Sequence, residues 1–237
     1  MSVLAIETSS QLLGVALVEG ERILSSYELL ADYPHAAELP GAVARVLEAG
    51  RVTLRDLEAV IVDIGPGSFT GLRIGLAFVK ALVFSHKTAV VGIASLDVLA
   101  AGLPSAPHLV CPILDAKQKN VYAARYRLEA GRPVKQGDYL LGPVDEFLAR
   151  VTEPAIFLGD GCALYGERIR ARCPDAQVAP HECWLPRTAT LARLGRERLL
   201  AGERDDPARL VPLYLYPKDC QVRGPDRPTS VLPSTVL

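Results

Sequence analysis

A chain of 237 residues and 25.5 kDa has room for one medium domain or two small lobes with a sizeable core, since domains commonly run to roughly 100–200 residues. With 26 Lys and Arg against 27 Asp and Glu, a formal charge of −1 and 49% hydrophobic residues, the chain has no basic excess. Counterion release from phosphates drives most stand-alone nucleic-acid affinity, so contact with nucleic acid is expected only through a partner; the composition also excludes a wholly disordered, collagen-like or coiled-coil chain.

In chain order, residues 3–7 read as a strand, Thr8-Ser9-Ser10 as a polar turn and residues 12–18 as a second strand, and Gly20-Glu21 turns into a third at 23–30. Pro34 opens a helix that carries Leu39, Val43, Val46 and Leu47 on one apolar stripe and ends at Gly50. Residues 59–64 form a near-continuous β-branched run, the pattern of a strand buried on both faces. It leads through Gly65-Pro66-Gly67-Ser68 into a helix over 69–86 that is apolar almost all round and should be covered on more than one side. A further buried strand at 89–93 and a short helix begun by Ser95 complete the first half.

Small and turn residues at 101–107 mark the boundary between a first lobe, 1–103, and a second, 104–218. The second lobe is expected to hold strands at 109–114, 121–128 and 135–141, a helix at 144–151, a strand at 155–158, a helix ending near Cys173 and a long last helix at 188–200. Residues 219–237, rich in Pro, Ser and Thr, read as a flexible tail. Each half starts with strand, turn, strand and continues with alternating helices and strands, so the expected class is α/β with two related lobes.

The five cysteines, Cys111, Cys162, Cys173, Cys183 and Cys220, show no CxxC spacing and read as buried free thiols in a reducing compartment. Residues 1–7 lack the basic region of a signal peptide, and the longest apolar stretch, 74–84, is interrupted by Lys80 and too short to cross a bilayer. A cytoplasmic protein without membrane contact is expected.

Three segments are candidates for chemistry. Glu7-Thr8-Ser9 puts a carboxylate at a strand end before small hydroxyl residues, a pattern that suits a metal-bound phosphate and equally suits a plain polar hairpin turn. The string from Gly65 to Gly75 is neither a Walker A loop nor a dinucleotide fingerprint, yet it forms a strand-loop-helix junction whose N–H groups can face an anion. Within it Gly71 and Gly75 share a helix face that allows close backbone approach, either inside the monomer or at a helix-helix interface. Asp115-Ala116-Lys117 repeats the strand-end carboxylate in the second half, but without a glycine to admit phosphates closely. The histidines His35, His86, His108 and His181 are scattered, with no metal-ligand spacing and no nucleophile elbow nearby.

Taken together, Ile6-Glu7-Thr8-Ser9, His35 with Leu39-Pro40, the Gly65-to-Gly75 string, Asp115-Ala116-Lys117 before Val121-Tyr122, and Pro212-Leu213-Tyr214-Leu215 resemble the TsaB (YeaZ-type) family in order and spacing. The resemblance implies an actin/Hsp70/sugar-kinase-like (ASKHA) fold in which each lobe has a mixed sheet flanked by helices. It implies a role in forming N6-threonylcarbamoyladenosine beside the anticodon of tRNAs reading codons that start with A. In that role the chain would be a non-catalytic partner of a TsaD-like catalytic subunit and a TsaE-like ATPase, touching tRNA only through the complex and forming a homodimer when alone. Two metal-binding histidines of TsaD fall on Ser95 and Leu99 here, which cannot replace imidazoles. No cofactor is then expected to be held tightly by this chain alone, with ATP or ADP and Mg entering in the complex, near Glu7, Thr8, Ser9 and Asp115. The partner surface implied by the resemblance comprises His35, Leu39, Val43 and Leu47 on the first helix, and Gly67, Phe69, Thr70, Gly71, Arg73, Ile74, Gly75 and Phe78 on the second. The chain departs from the family pattern at Glu7, where Asp is frequent, at Ala36 and at Tyr216. The alternative reading is a stand-alone ASKHA-type ATPase or phosphotransferase using Glu7 and Asp115.

Overall fold

The computed structural model describes residues 2–30, 35–103 and 105–215. In the first lobe β1 (Ser2–Glu7), β2 (Leu12–Glu19) and β3 (Arg22–Leu30) form an antiparallel meander, followed by α1 (His35–Gly50). Next, β4 (Ala59–Gly65), α2 (Phe69–His86), β5 (Ala89–Ala94) and the short α3 (Ser95–Ala101) put two parallel strands beside β1, giving the order β3-β2-β1-β4-β5. The second lobe has β6 (Leu109–Asp115), β7 (Asn120–Ala123), β8 (Tyr126–Glu129), β9 (Arg132–Lys135), β10 (Leu140–Pro143), α4 (Val144–Leu148), β11 (Ala155–Leu158), α5 (Gly161–Arg172), β12 (Gln177–Val178) and α6 (Thr188–Leu200). Its main sheet runs β10-β7-β6-β11-β12, with antiparallel strands on one side of β6 and parallel strands on the other, so it repeats the plan of the first. This doubled mixed sheet is the ASKHA fold.

Strand alternation assigns the two faces of the first sheet. Leu4, Ile6, Leu13, Val15, Val60 and Val62 point toward α1 and α2, while Val3, Ala5, Ala16, Ala59, Ile61 and Val91 point the other way. The second face is covered by α6, which arrives from the far end of the chain with Leu191, Ala192 and Leu199. The alanines there admit a helix closely, and a Cβ on Gly195 would stand 2.4 Å from Ile61. The segment after α6 returns to the same lobe: Asp205 donates its N–H to Val90 O at 2.9 Å, Leu213 donates to Ile64 O at 2.7 Å, and Leu210 joins the α1–α2 core. The expected second-lobe limits of 104–218 are therefore corrected, since residues 188–213 complete the first lobe. The expected tail at 219–237 and the helix start at Pro34 lie outside the described residues.

Three other elements differ from the sequence reading. The strand expected at 121–128 breaks between β7 and β8, where it passes Pro112 of β6; proline has no N–H to continue a ladder, and Ala124 donates to the Pro112 carbonyl at 3.3 Å. The strand expected at 135–141 divides into β9 and β10 at Gly137, which takes φ +89°. The helix expected at 144–151 stops at Leu148 and closes with tight turns from Arg150 N–H to Phe147 O and from Val151 N–H to Leu148 O. Cys111, Cys162 and Cys173 are free and buried, and Cys183 is half-buried.

The lobes are latched behind the sheets by Asp97 of α3, whose Oδ1 accepts from the Tyr126 hydroxyl at 2.5 Å and the Tyr139 hydroxyl at 2.9 Å. Burial and the Asp97 charge push both phenols far above the ordinary tyrosine range, so both stay protonated donors. Tyr139→Phe is expected to destabilise the chain by about 1–2 kcal/mol, seen as a fall of about 2–8 °C in Tm by scanning calorimetry.

Candidate functional site

The turn between β1 and β2 is built around the carboxylate of Glu7. Its Oε1 accepts from the Ser9 N–H at 2.8 Å, the Ser9 hydroxyl at 2.7 Å and the Ser10 N–H at 3.1 Å. Glu7 thus closes the turn from within, and α2 closes it from outside. The Ser68 N–H donates to Ser9 O at 2.6 Å, and Gly67, Gly71 and Gly75 lie so close that a Cβ on them would stand 2.2, 2.0 and 2.2 Å from Ser9 O, Thr8 O and Thr8 Oγ1. Of the two readings of the glycine face, the geometry therefore selects packing inside the monomer: the face is consumed by the turn. The partner-surface assignment of Gly71 and Gly75 is corrected accordingly.

The same packing leaves Glu7, Thr8 and Ser9 0%, 0% and 3% exposed, so that Glu7 and Thr8 lie behind the turn while Ser9 contributes to the wall of the cleft described below. The Ser9 carbonyl is turned onto the Ser68 N–H that precedes the first turn of α2. With Glu7 fully buried and its Oε1 engaged by Ser9 and Ser10, this carboxylate does not open onto the cleft where a metal-bound phosphate would sit. The other oxygens of Glu7 and of Asp63 on β4, together with Thr8 Oγ1, are buried without a hydrogen-bond partner. Burial and the facing Asp63 carboxyl push the Glu7 pKa well above the ordinary carboxylate range, and burial raises that of Asp63. Behind the pair, Ser95 donates to Asp63 Oδ1 at 2.6 Å, while Leu99 is core. Among the described residues no three His, Cys, Asp or Glu side chains gather to hold a metal ion.

Between the lobes, in front of Glu7, lies a cleft of about 680 Å³ bordered by Ser9, Ser10, His35 and Thr70 on one side and Asp115, Lys117, Tyr122 and Asp160 on the other. Asp115 is committed within its own hairpin: its carboxylate accepts the Lys117 N–H at 2.9 Å and the Lys117 ammonium at 2.6 Å, and its N–H donates to Asp160 Oδ1 at 2.9 Å. Without a glycine, the hairpin tip places Lys117, Gln118 and Lys119 in the left-handed region with φ of 63°, 51° and 65°. Each such residue costs about 1–2 kcal/mol, and three Cβ atoms crowd the place where a phosphate would need bare backbone. Asp115 thus stands in the cleft, but apart from Glu7.

The helices of the first lobe divide differently from the sequence reading. Leu39, Val43 and Leu47 are 1%, 4% and 8% exposed and belong to the core against the sheet, so their assignment to a partner surface is corrected. His35 faces the turn, its Nε2 standing 3.1 Å from Ser10 O. The surface that remains open consists of Ala36, Ala37, Pro40 and Ala44 on α1, with Phe69, Thr70, Arg73, Ala77, Ala81 and Phe84 on α2; Ile74 and Phe78 are half-buried beside it. Phe84 is 86% exposed. The expectation that α2 would be covered on more than one side fails along this strip. At 18 residues and a mean hydropathy of 1.2, α2 also has the length and composition to cross a bilayer, contrary to the shorter estimate from the sequence, although its Leu72, Leu76, Val79 and Val83 pack into the lobe. The alanines and Phe84 were missed because the apolar stripe drew attention to the residues that fill the core; their signal was a second apolar stripe on the same helix. At the start of α2, Arg73 lies 3.9 Å over the Phe69 ring, and Phe69 packs on Tyr214 with ring centroids 5.7 Å apart.

Comparison with known proteins places this geometry. Residues 29–205 match the family model "TsaD: tRNA N6-adenosine threonylcarbamoyltransferase". The chain is 32% identical to the tRNA threonylcarbamoyladenosine biosynthesis protein TsaB of Bacillus subtilis, over 91% of this chain and 94% of that protein. It is 24% identical to TsaB of Haemophilus influenzae over 91% and 93%. Among solved structures, YeaZ from Pseudomonas aeruginosa superposes with a TM-score of 0.78 at 28% identity, covering 90% of this chain and 99% of that one.

Proposed function

Because this chain belongs to the TsaB (YeaZ-type) family of tRNA threonylcarbamoyladenosine biosynthesis, we propose that it is the non-catalytic scaffold of the modifying complex. It binds a TsaD-like catalytic subunit, works in the cytoplasm beside a TsaE-like ATPase, and forms a homodimer when that subunit is absent. The observation that carries this reading is the exposed apolar residues on α1 and α2: Phe84, at 86% exposure, shares a face of α2 with Ala77 and Ala81, and Pro40 and Ala44 are exposed on α1. Contiguous uncovered apolar surface of this kind marks protein-protein contact, and small residues let a second pair of helices approach closely. The sealed turn at Glu7 supports the assignment of chemistry to the partner, as do Ser95 and Leu99 at the places of TsaD's histidines. ATP or ADP with Mg is placed with the partner subunits for the same reason.

The test is a reconstituted assay of tRNA modification. Omission of this chain should reduce product formation to background, and undiminished product would sink the proposal. The charge balance gives a second expectation: with 26 basic against 27 acidic residues, the isolated chain should show little tRNA binding in filter assays and no steep loss with added salt, because few phosphates are neutralised. Tight, strongly salt-dependent binding by the chain alone would reassign the tRNA contacts.

A further inference from the structure

We propose that Glu7 and Asp63 share a single proton, and that this proton holds the turn at residues 8–10 in the shape that seats the first turns of both α1 and α2. The pair stands where parallel β1 and β4 end side by side, one step beyond the Ile6–Val62 register pair. Both residues are sealed, at 0% and 1% exposure. One oxygen of each is fully engaged: Glu7 Oε1 by Ser9 and Ser10, and Asp63 Oδ1 by the Gly65 N–H at 2.7 Å and the Ser95 hydroxyl at 2.6 Å. The remaining oxygens, Glu7 Oε2 and Asp63 Oδ2, are buried without a donor, and the parallel register puts the two side chains next to each other on one face of the sheet. Two ionised carboxylates cannot persist in that contact, whereas one proton between the two oxygens satisfies both.

Among the described residues no Lys, Arg or His side chain is hydrogen-bonded or ion-paired to either carboxyl, and the Tyr139 hydroxyl lies within electrostatic reach of Asp63. Ser9 and Ser10 face the pair from the turn, the Gly65 N–H from β4 and Ser95 from α3, and Thr188 of α6 lies beside Glu7 across Gly14. The charged groups beyond are held elsewhere, Asp97 by Tyr126 and Tyr139, and Glu28 of β3 by Arg187 and Thr188. The turn then transmits the arrangement. Ser10 O lies 3.1 Å from His35 Nε2 at the start of α1, and Ser9 O holds the Ser68 N–H at the start of α2. Glu7 and Asp63 are thus positioning residues for the strip described above, and only this last step rests on the proposed function.

Burial raises the folded-state pKa of Glu7 above its unfolded value. The stability the pair contributes is therefore complete below the ordinary carboxylate range and declines as pH rises toward the raised value. Glu7→Gln supplies a permanent donor: its carbonyl can accept from Ser9 and Ser10 while its amide donates to Asp63. Asp63→Asn does the same from the other side. In the full chain, the Glu7 carboxyl carbon, followed by NMR, is expected not to titrate across about pH 4–5, where free glutamate does. As pH rises from about 5, above the range of a free carboxyl, the wild-type Tm should fall relative to Glu7→Gln and Asp63→Asn by at least about 3 °C, the size that roughly one pKa unit of linkage gives in a chain of this length. The amide signals of Ser68 and Gly71 should shift over the same range in the wild type alone. An ordinary Glu7 titration, or parallel pH profiles in all three proteins, would overturn the proposal. Association with the catalytic subunit is measured separately, and its absence at every pH counts against the proposed function, whereas the carboxyl titration decides the shared proton.

Discussion

Gly71→Ala is expected to destabilise the isolated chain by about 2–3 kcal/mol, lowering its Tm by about 4–12 °C. A Cβ at this position would stand 2.0 Å from the carbonyl oxygen of Thr8 and 3.2 Å from its carbon. Those atoms belong to backbone at the end of the central strand, beneath a residue that is 0% exposed, so neither side yields without moving the sheet or the helix. Replacing an interior helical glycine with alanine ordinarily gains about 1 kcal/mol, and the steric conflict has to exceed that gain. Gly75→Ala provides the contrast. Its Cβ would meet only the Thr8 side chain, at 2.2 Å from Oγ1 and 3.4 Å from Cβ. The Thr8 hydroxyl is itself buried without a hydrogen-bond partner, so Thr8→Ala removes the obstacle and no bond. Thr8→Ala should therefore restore most of the stability lost in Gly75→Ala and little of that lost in Gly71→Ala. Denaturant unfolding of the double-mutant cycle reads this directly. If Gly71→Ala folded as stably as the wild type and lost only its assembly, the glycines would belong to an interface between chains after all.

The difference between those outcomes marks the limit of what the sequence makes legible. Periodicity showed that Gly71 and Gly75 share one face of a long apolar helix, and alternation showed β1, β2, β3 and β4 with nearly their observed ends. Helical spacing names a face, but not what lies against it. Leu39, Val43 and Leu47 posed the same ambiguity and proved to be core, while the outward surface was written in alanines, Pro40 and Phe84. For α6 an amphipathic pattern could not say which sheet its buried side covers, and it crosses back to the first lobe because Ala5, Ala16 and Ala59 leave room there. Pro112 and Asp63 carried signals that the strand pattern overrode: a proline in a central strand cannot serve both neighbours, and a lone acid within a β-branched run needs a partner, which the structure supplies as Glu7 at the end of the adjacent strand. What the resemblance to the family added to the two lobes already read from the strand-helix echo was the expectation of an exposed helix pair, while the residues that make up that pair had to come from burial.

The largest effect expected on function is that of Ala81→Arg. Ala81 is exposed on α2 one helical turn from Ala77 and three residues before Phe84, so in the isolated chain an arginine there projects into water and should change stability by no more than about 0.5 kcal/mol. Buried against an apolar partner, the same side chain would bring an unpaired guanidinium and excess volume into the contact. Loss of affinity for the TsaD-like subunit by at least about 100-fold is expected, equivalent to about 2.7 kcal/mol. Homodimerisation, which the proposed function assigns to the same strip, should fail in parallel, and reconstituted tRNA modification should drop toward the level seen without this chain. Leu164→Arg is the matching control, since Leu164 is 61% exposed on α5 of the other lobe and its substitution should leave assembly unchanged. Sedimentation velocity on both variants separates the cases: if Ala81→Arg still sedimented as a dimer and still bound the catalytic subunit, the bare strip would not be the docking face. Should both variants dissociate, the contact would span both lobes, and an interface confined to α1 and α2 would be too small to account for it.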